Sequence, residues 1–174
     1  APVITSISPT SGAVGAQVTI TGTNFTMDST VKFGTTTASA PVVVSSTTIR
    51  VAVPAGTGIK AVTVTNSKGT SNGANFTYGP VISSISPSFG PVGAQVTITG
   101  TDFTMDSTVK FGTTNAPTFT VNSSTSITAT APAGIGIKGI TVTNSNGTSN
   151  SSNFTYAPVI TSISPTSGAV GAQV

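Results

Sequence analysis

Apolar and polar residues alternate along this chain in short stretches, and each stretch ends at a turn. In residues 17–21, Val18 and Ile20 alternate with polar residues, so both apolar side chains face one side of a half-buried strand. Gly22 ends this stretch. Similar alternation, bounded by Gly, Pro, Asn and Asp, predicts further strands around residues 31–33, 49–53, 59–65 and 76–78, with a weaker strand and loop between residues 35 and 46.

The apolar positions of these strands predict a separate core in each half of the chain. The first core comprises Ile4, Ile7, Val18, Ile20, Phe25, Val31, Phe33, Ile49, Val51, Val62, Val64 and Phe76. The second comprises Ile82, Ile85, Val96, Ile98, Phe103, Val109, Phe111, Ile127, Ala129, Ile140, Val142 and Phe154. Each core serves about seven short strands, and turn signals every roughly eight to twelve residues are typical of an antiparallel sandwich.

The chain repeats itself with a constant period of 78 residues. Residues 1–18 recur with few changes at 79–96 and unchanged at 157–174, and 55 of the 78 positions in the two full copies are identical. The differences concentrate between residues 37–53 and their counterparts 115–131. A fixed period indicates a tandem array, so we expect domains at residues 1–78 and 79–156 and the truncated start of a third repeat at 157–174.

Composition supports an all-β fold and narrows the function classes. The chain contains no Leu, Glu, His, Trp or Cys, whereas Thr, Val and Ile, which favour strands, are abundant. Only 5% of residues are charged, and the six basic residues that produce the net charge of +3 are scattered. Nucleic-acid binders concentrate basic residues in a patch, so we expect no nucleic-acid partner. No apolar run approaches the ~18 residues of a spanning helix.

The residues available for chemistry argue against catalysis. Without His, Cys or Glu, the usual general bases are limited to three Asp and five Lys, and the many hydroxyls have no imidazole to activate them. We therefore expect no enzyme, no catalytic residue and no cofactor. The strongest metal candidate is a calcium site at Asp102 and Asp106, with Asn24 and Asp28 at the matching positions of the first repeat. The alternative is that these carboxylates only cap their turns.

Six asparagines lie in the Asn-x-Ser/Thr acceptor pattern for N-glycosylation: Asn24, Asn75, Asn122, Asn146, Asn150 and Asn153. Some of these arise by chance in a chain rich in Asn, Ser and Thr. Asn75 and Asn153 stand out because each precedes an inward-facing Phe on a strand and must therefore point outward. Attached sugar would also keep a chain with few charges soluble.

The motifs of both repeats resemble the IPT/TIG domains, which are immunoglobulin-like folds named for plexins and transcription factors. The resemblance rests on ITSISPTSGAVGAQVTITGTNF, VKFG, VTVTNSKGTSN and FTY in the first copy and on the matching segments of the second. It implies an early-set immunoglobulin-like sandwich with no shared catalytic residues. Tandem copies in the family are similar to those of bacterial and archaeal surface proteins, adhesins and carbohydrate-active enzymes, where they serve as spacers or stalks. The basic DNA-reading loops of transcription-factor members are absent here.

We therefore expect a structural spacer or fibre module of an extracellular or cell-surface protein, with a stiff joint between domains because Pro80 limits the linker. The alternative is an adhesin-type or glycan-binding module that recognises glycans or surface proteins. Its candidate aromatics are Phe89 and Phe119, which the first repeat lacks. Few charges guard the strand edges, so copies of the chain itself are also expected partners, packed end to end or side by side.

Residues 157–174 contain only the first strand and half of the second strand of a domain. Such a piece cannot bury its own apolar residues, so a free segment should be disordered. Two alternatives give it partners. Either the sequence is a window of a longer array, or the segment is donated as a strand to another chain.

Overall fold

The computed structural model describes residues 1–173, and every regular element among them is a β-strand. The strands of the first domain are β1 (Val3–Ser8), β2 (Ser11–Gly12), β3 (Gln17–Thr23), β4 (Thr30–Phe33), β5 (Thr36–Thr37), β6 (Val42–Ser45), β7 (Thr48–Ala52), β8 (Ile59–Asn66), β9 (Gly69–Thr70) and β10 (Ala74–Tyr78). The strands of the second are β11 (Val81–Ser86), β12 (Phe89–Gly90), β13 (Gln95–Thr101), β14 (Thr108–Phe111), β15 (Thr114–Asn115), β16 (Phe119–Ser123), β17 (Ser126–Thr130), β18 (Ile137–Asn144), β19 (Gly147–Thr148) and β20 (Ser152–Tyr156).

Each domain is a sandwich of two sheets. In the first domain one sheet has the order β1-β3-β7-β6 and the other the order β2-β10-β8-β4-β5, with β9 paired to β8; the second domain repeats this topology. Neighbours are antiparallel except for the parallel pairs β2–β10 and β12–β20. Consecutive strands β1 and β2 thus lie in different sheets, so the chain crosses between the sheets here and ties the two sheets together at one edge. The predicted all-β, immunoglobulin-like sandwich is confirmed, and it has more than seven strands because three per domain are two-residue pieces.

The core lies between the two sheets, where the alternation of each strand directs its apolar side chains. All twelve positions predicted for the first core are buried. In the second domain Ile85 is only partly buried and packs against the edge of the core, while the other eleven are buried. Both cores also contain residues outside the predicted sets: Ala38, Val53, Tyr78, Ala116, Ala131 and Tyr156.

Aromatic rings form a column at the centre of each core. Phe33 and Phe76 pack edge to face with ring centroids 5.4 Å apart, and Phe76 packs in the same way on Tyr78 at 5.5 Å. The Tyr78 hydroxyl donates a hydrogen bond to the Pro54 carbonyl oxygen at 2.9 Å, and burial raises the pKa of this phenol. A Cβ atom on Gly56 would lie 2.6 Å from the Tyr78 ring, so a glycine is required beside it.

A single asparagine side chain caps the outer edge of β1. The Ile4 amide donates to Asn72 Oδ1 at 2.9 Å, and Asn72 Nδ2 donates to the Ile4 carbonyl oxygen at 3.0 Å. Asn150 forms the same pair of bonds with Ile82. The amide therefore substitutes for a neighbouring strand at Ile4 and satisfies the backbone groups of one residue on an edge that charges do not guard.

The opposite edge of the same sheet, β6, is more exposed. Val42 and Val44 of β6 are 58% and 53% exposed. The register against β7 shifts between Val43 and Ser45, and the same irregularity occurs in β16. A bulge of this kind interrupts the ladder and twists the edge strand, which shortens the stretch that another chain can pair with.

Residues 157–173 form no strand in the structure. The amide of Ala157 donates to the Gly90 carbonyl oxygen at 2.9 Å, as Gly79 does to Gly12 at 2.8 Å, so the segment leaves the second domain as the linker leaves the first. Beyond this point the apolar side chains of Val159, Ile160 and Ile163 are 69%, 81% and 54% exposed. They do not pack into the core of either domain.

Replacing Asn72 by alanine should destabilise the first domain, because two backbone groups of Ile4 lose their partners. The expected loss is about 1–3 kcal/mol of unfolding free energy. Urea unfolding of the whole chain measures it, and the second domain, with Asn150 intact, is the internal reference. Asn75→Ala, on the exposed face of β10, should unfold like the unaltered chain. Equal midpoints for Asn72→Ala and Asn75→Ala would show that the cap adds nothing.

Candidate functional site: the junction between the domains

The linker between the two domains is two residues long and buried. Strand β10 ends at Tyr78 and β11 begins at Val81, and both Gly79 and Pro80 between them are shielded from solvent. Tyr78 is anchored in the core of the first domain, and Ile82 is buried in the core of the second. The linker therefore joins two fixed points and has little freedom of its own.

Gly79 lies in the linker where the two domains come close together. A Cβ atom at this position would lie 2.9 Å from the carbonyl oxygen of Asn146, which belongs to the turn between β18 and β19. Backbone atoms cannot yield at this distance, so a side chain would force the domains apart. The matching residues Ala1 and Ala157 carry a Cβ, so the close approach distinguishes this junction.

A carboxylate of the second domain binds the first domain directly. Asp102, in the turn after β13, accepts a hydrogen bond at Oδ1 from the Gly58 amide at 2.8 Å. Gly58 lies between β7 and β8 with φ +70°, and Asp102 has φ +58°, a conformation that Asp and Asn tolerate better than most residues. Hydrogen bonds to an ionised acceptor are stronger than neutral ones.

The turn that carries Asp102 is held by its own domain. Asn144 Nδ2 donates to the Asp102 carbonyl oxygen at 3.0 Å, and Asn66 does the same to Asn24 in the first domain at 2.9 Å. Among the described residues, Asp102 Oδ2 and Thr101 Oγ1 are buried without a hydrogen-bond partner. An unsatisfied buried acceptor costs free energy, so the net stabilisation by this contact is modest.

The two carboxylates proposed for calcium point to different partners. Asp102 binds Gly58, whereas Asp106 accepts hydrogen bonds from the Thr104 hydroxyl and, at 2.8 Å, from the Ser145 amide. Asp28 makes the equivalent bonds with Thr26 and Ser67. Within residues 1–173, no three acidic, His or Cys side chains gather into a metal-binding group. The calcium site stays a prediction, and turn capping accounts for the contacts seen.

The glycosylation candidates occupy different environments. Asn75 and Asn153 are exposed on β10 and β20, each beside a Phe that is fully buried. Asn24 and Asn146 lie at the domain ends, Asn24 on the exposed end of the first domain and Asn146 in the junction. The Asn150 side chain donates a hydrogen bond to the Ile82 carbonyl oxygen, and the Asn122 side chain donates one to the Thr128 hydroxyl at 2.9 Å.

The two aromatic candidates for ligand contact do not share a surface. Phe89 is 68% exposed on β12, and Phe119 is 38% exposed on β16. Strand β12 continues from β11 at one edge of the sandwich, while β16 lies at the other edge of the β11 sheet. The rings therefore lie at opposite edges of the domain. No pocket was found on the described part of the chain.

Residues 1–173 contain no helix of the length and apolar character needed to cross a membrane.

The hydrogen bonds to the carboxylates of Asp28 and Asp106 should make the stability of the fold sensitive to acid. Hydrogen bonds from Thr26 and from the Ser67 amide lower the pKa of Asp28 below its ordinary value of 3.8, and Thr104 and Ser145 lower that of Asp106. A lowered folded-state pKa gives stability that is present above the unfolded-state value and lost as pH falls through the folded-state value.

Thermal unfolding between pH 7 and pH 2 checks this. We expect the melting temperature of the unaltered chain to fall below about pH 4, the ordinary range of an aspartate carboxyl. The variant Asp28→Asn, Asp106→Asn should melt lower at neutral pH and change less with acid. If the melting temperature of this variant depends on pH as that of the unaltered chain does, the hydrogen bonds to Asp28 and Asp106 do not determine the acid response.

Comparisons with known proteins place the chain in a family. The IPT/TIG domain profile matches it twice, over residues 2–78 and 80–156. No curated protein matches it. A surface glycan-binding protein, SGBP-B, from Bacteroides uniformis is 24% identical, with 86% of this chain and 48% of that chain covered and a TM-score of 0.39. PbSGBP-B from Prevotella bryantii is 21% identical, with 88% and 41% covered and a TM-score of 0.41.

The extracellular region of plexin A4 is 21% identical, with 95% of this chain and 16% of that chain covered and a TM-score of 0.41. The chain thus spans less than half the length of these structures. Overlays this loose carry no argument about fold or activity. The family match covers both sandwiches, and its limits fall at the Tyr78 and Tyr156 ends described above. The chain belongs to the IPT/TIG domain family, with two domains in tandem.

Proposed function

We propose that the two domains form a stiff spacer of an extracellular or cell-surface protein. The observation that carries this proposal is the hydrogen bond from the Gly58 amide to Asp102 across the junction. A spacer has to hold its two ends at a fixed separation, which requires that successive domains do not swing freely. The junction supplies a short linker and a contact to one side of it, and together these restrain rotation as well as distance.

The three contacts of the junction act in different ways. Buried Gly79 and Pro80 limit the distance between the domains. The close approach of Gly79 to Asn146 limits bending toward that side. The Asp102 bond to Gly58 limits rotation about the linker, because a hydrogen bond weakens steeply when its angle changes. Together, the short linker, the close approach and the hydrogen bond restrain the orientation of one domain relative to the other.

The outer faces of the sheets fit such a role outside the cell. Apart from Gln95, the outward positions of β13 and β17 are threonines and serines that pair across the sheet, among them Thr97 with Thr128 and Thr99 with Ser126. Such faces hydrogen-bond to water while carrying few charges. We propose that glycans attached at Asn75 and Asn153 add to this hydration, because these two side chains are exposed on strands and away from the junction.

A glycan-binding module is the second candidate. The observation that favours it is the exposed ring of Phe89, which the first domain replaces by Ser11. An exposed aromatic ring offers an apolar face on which a sugar can stack. Phe119 lies at the opposite edge, so a site at Phe89 would have one ring and would bind weakly. The surface glycan-binding proteins named above overlay too loosely to strengthen this candidate.

Replacing Asp102 by glycine should loosen the junction. Glycine keeps the positive φ without strain, so the change removes only the carboxylate and its bond to Gly58. Residual dipolar couplings measure the outcome, because two rigidly joined domains share one alignment tensor. We expect a common tensor for the unaltered chain and a reduced alignment of one domain in Asp102→Gly, since the coupling lost is about 1 kcal/mol.

The matched control is Asn24→Gly, at the same position of the first domain, which contacts no other domain. It should keep the common tensor. Different tensors for the two domains of the unaltered chain, or a folded-back pair in small-angle scattering, would contradict the spacer.

The glycan candidate makes a separate prediction. If Phe89 stacks on a sugar, a glycan array should show binding by the unaltered chain and at least several-fold weaker binding by Phe89→Ser, which restores the residue of the first repeat. Phe119→Pro tests the other ring in the same way. Binding that is absent, or unchanged in both variants, would rule out these rings as the binding site.

A further inference from the structure

One glycosylation acceptor of the second domain lies beside an exposed aromatic ring. On β20 the side chains of Phe154 and Tyr156 are buried in the core, whereas Asn153 and Thr155 are exposed and point outward. Asn153 and Thr155 are the first and third residues of one acceptor triplet. Both polar groups of the triplet therefore stand on the outer face of the same strand.

The ring of Phe89 stands on this outer face as well. Strand β12 runs parallel to β20, with Phe89 opposite Thr155 and Gly90 opposite Tyr156. Gly90 is buried like Tyr156, whereas Phe89 is 68% exposed. Phe89 is thus the diagonal neighbour of Asn153. The spacing and rise of strands place such neighbours about 8 Å apart between Cα atoms, within reach of an aromatic side chain.

The opposite flank of Asn153 leaves room for a bulky group. Gly139 of β18, which has no side chain, lies directly opposite Asn153, and Ile137 lies opposite Thr155. A Cβ atom on Gly139 would collide with the Ser151 hydroxyl, so this hydroxyl lies close to the same place. Ile137 is 64% exposed. A group attached to Asn153 would thus have apolar side chains toward one end of the strand and a hydroxyl toward the other.

The first repeat contains the same acceptor without the ring. Asn75 is exposed on β10, next to buried Phe76, and the residue opposite Thr77 on the neighbouring strand is Ser11. The two acceptors therefore differ in whether an aromatic side chain stands diagonally across from the asparagine. The chain thus provides its own matched comparison.

We propose that Asn153 carries an N-linked glycan whose first sugar packs on the ring of Phe89. The co-substrate is an oligosaccharide on a lipid pyrophosphate, used by a cellular transferase. The amide nitrogen of Asn153 forms a bond to the anomeric carbon of this oligosaccharide and loses one proton. The bond from that carbon to the pyrophosphate breaks, and the pyrophosphate leaves with the electron pair. The inference rests on the glycosylation proposed above and adds the partner of the ring.

Attachment explains how a single ring can hold a sugar. A site with one ring binds a free sugar weakly, because little apolar surface is buried. A sugar linked to Asn153 meets the ring within one molecule, at an effective concentration on the order of millimolar or more. The sugar then covers an aromatic surface that would otherwise face water. The ring serves the glycan of its own chain in this arrangement, and not a glycan of another molecule.

Nuclear magnetic resonance of the glycosylated full chain tests the contact. The chain is secreted from a eukaryotic host, and its glycans are trimmed to one N-acetylglucosamine. We expect nuclear Overhauser effects between the Phe89 ring protons and the sugar at Asn153, and an upfield shift of the sugar protons caused by the ring. Phe89→Ser, which restores the residue of the first repeat, should abolish both signals.

The first domain provides the matched control in the same sample. A sugar at Asn75, beside Ser11, should show neither signal, and Ser11→Phe should create both. Thermal unfolding adds a second measurement. Phe89→Ser should lower the melting temperature of the glycosylated chain by a few degrees and leave that of the Asn153→Gln variant unchanged.

The outcomes separate this inference from the proposals on which it rests. Mass spectrometry that finds Asn153 unmodified would overturn the attachment at this site, while the alignment tensors test the spacer independently. A sugar present at Asn153 without contact to Phe89, or with signals that persist in Phe89→Ser, would overturn the packing and leave the attachment standing. Occupancy of Asn153 together with ring contacts that Phe89→Ser removes supports the inference.

Discussion

The burial of Tyr78 is the constraint on which both the domain and its connection depend. Its ring completes the aromatic column of the core, its hydroxyl bonds to Pro54, and Gly56 makes room for it. Tyr78 is also the last residue of β10, so the end of the first domain is fixed at the same place as its core. Only Gly79 and Pro80 follow before the next domain begins. Packing inside one domain therefore sets the position from which its neighbour starts.

Most of the fold could be predicted from the sequence because it is local in origin. The alternation of Val18 and Ile20 with threonine directs both apolar side chains to one face of the strand, whatever packs against that face. The family motifs predict the same strand. The strand pattern alone does not predict the burial of Tyr78, because tyrosine is found both in cores and at surfaces. Its burial depends on Gly56 and Pro54, which belong to a loop far away along the chain.

The contacts that matter for function were harder to predict, since their partners are distant in sequence. Asn72 caps a strand that lies 68 residues earlier, and nothing in its immediate neighbours signals that pairing. The sequence predicts Asp102 as an oxygen ligand for calcium, whereas in the structure its Oδ1 accepts a hydrogen bond from the Gly58 amide. The one sequence signal for this contact is the change from Asn24 in the first repeat to Asp102 in the second. A carboxylate alone, however, does not reveal which hydrogen-bond donor it contacts.

The protection of the strand edges also depends on contacts that the local sequence does not reveal. A chain with few charges was expected to leave its edges open to other copies. The structure shows that an asparagine amide satisfies the backbone groups of Ile4 in β1 and that a register shift interrupts the ladder of β6. Uncharged features thus protect the strand edges, as lysine side chains do in many sheets, and they act at fixed positions along the strands.

The glycine at position 79 has a consequence for any longer array of these domains. Because its missing Cβ allows the domains to approach at Asn146, and alanine occupies the same place at residues 1 and 157, the joints are not chemically equivalent. The side chain at this position then affects how closely two successive domains can approach each other. A rod built from such units could change its curvature and its bending stiffness along its length while every domain in it kept the same fold.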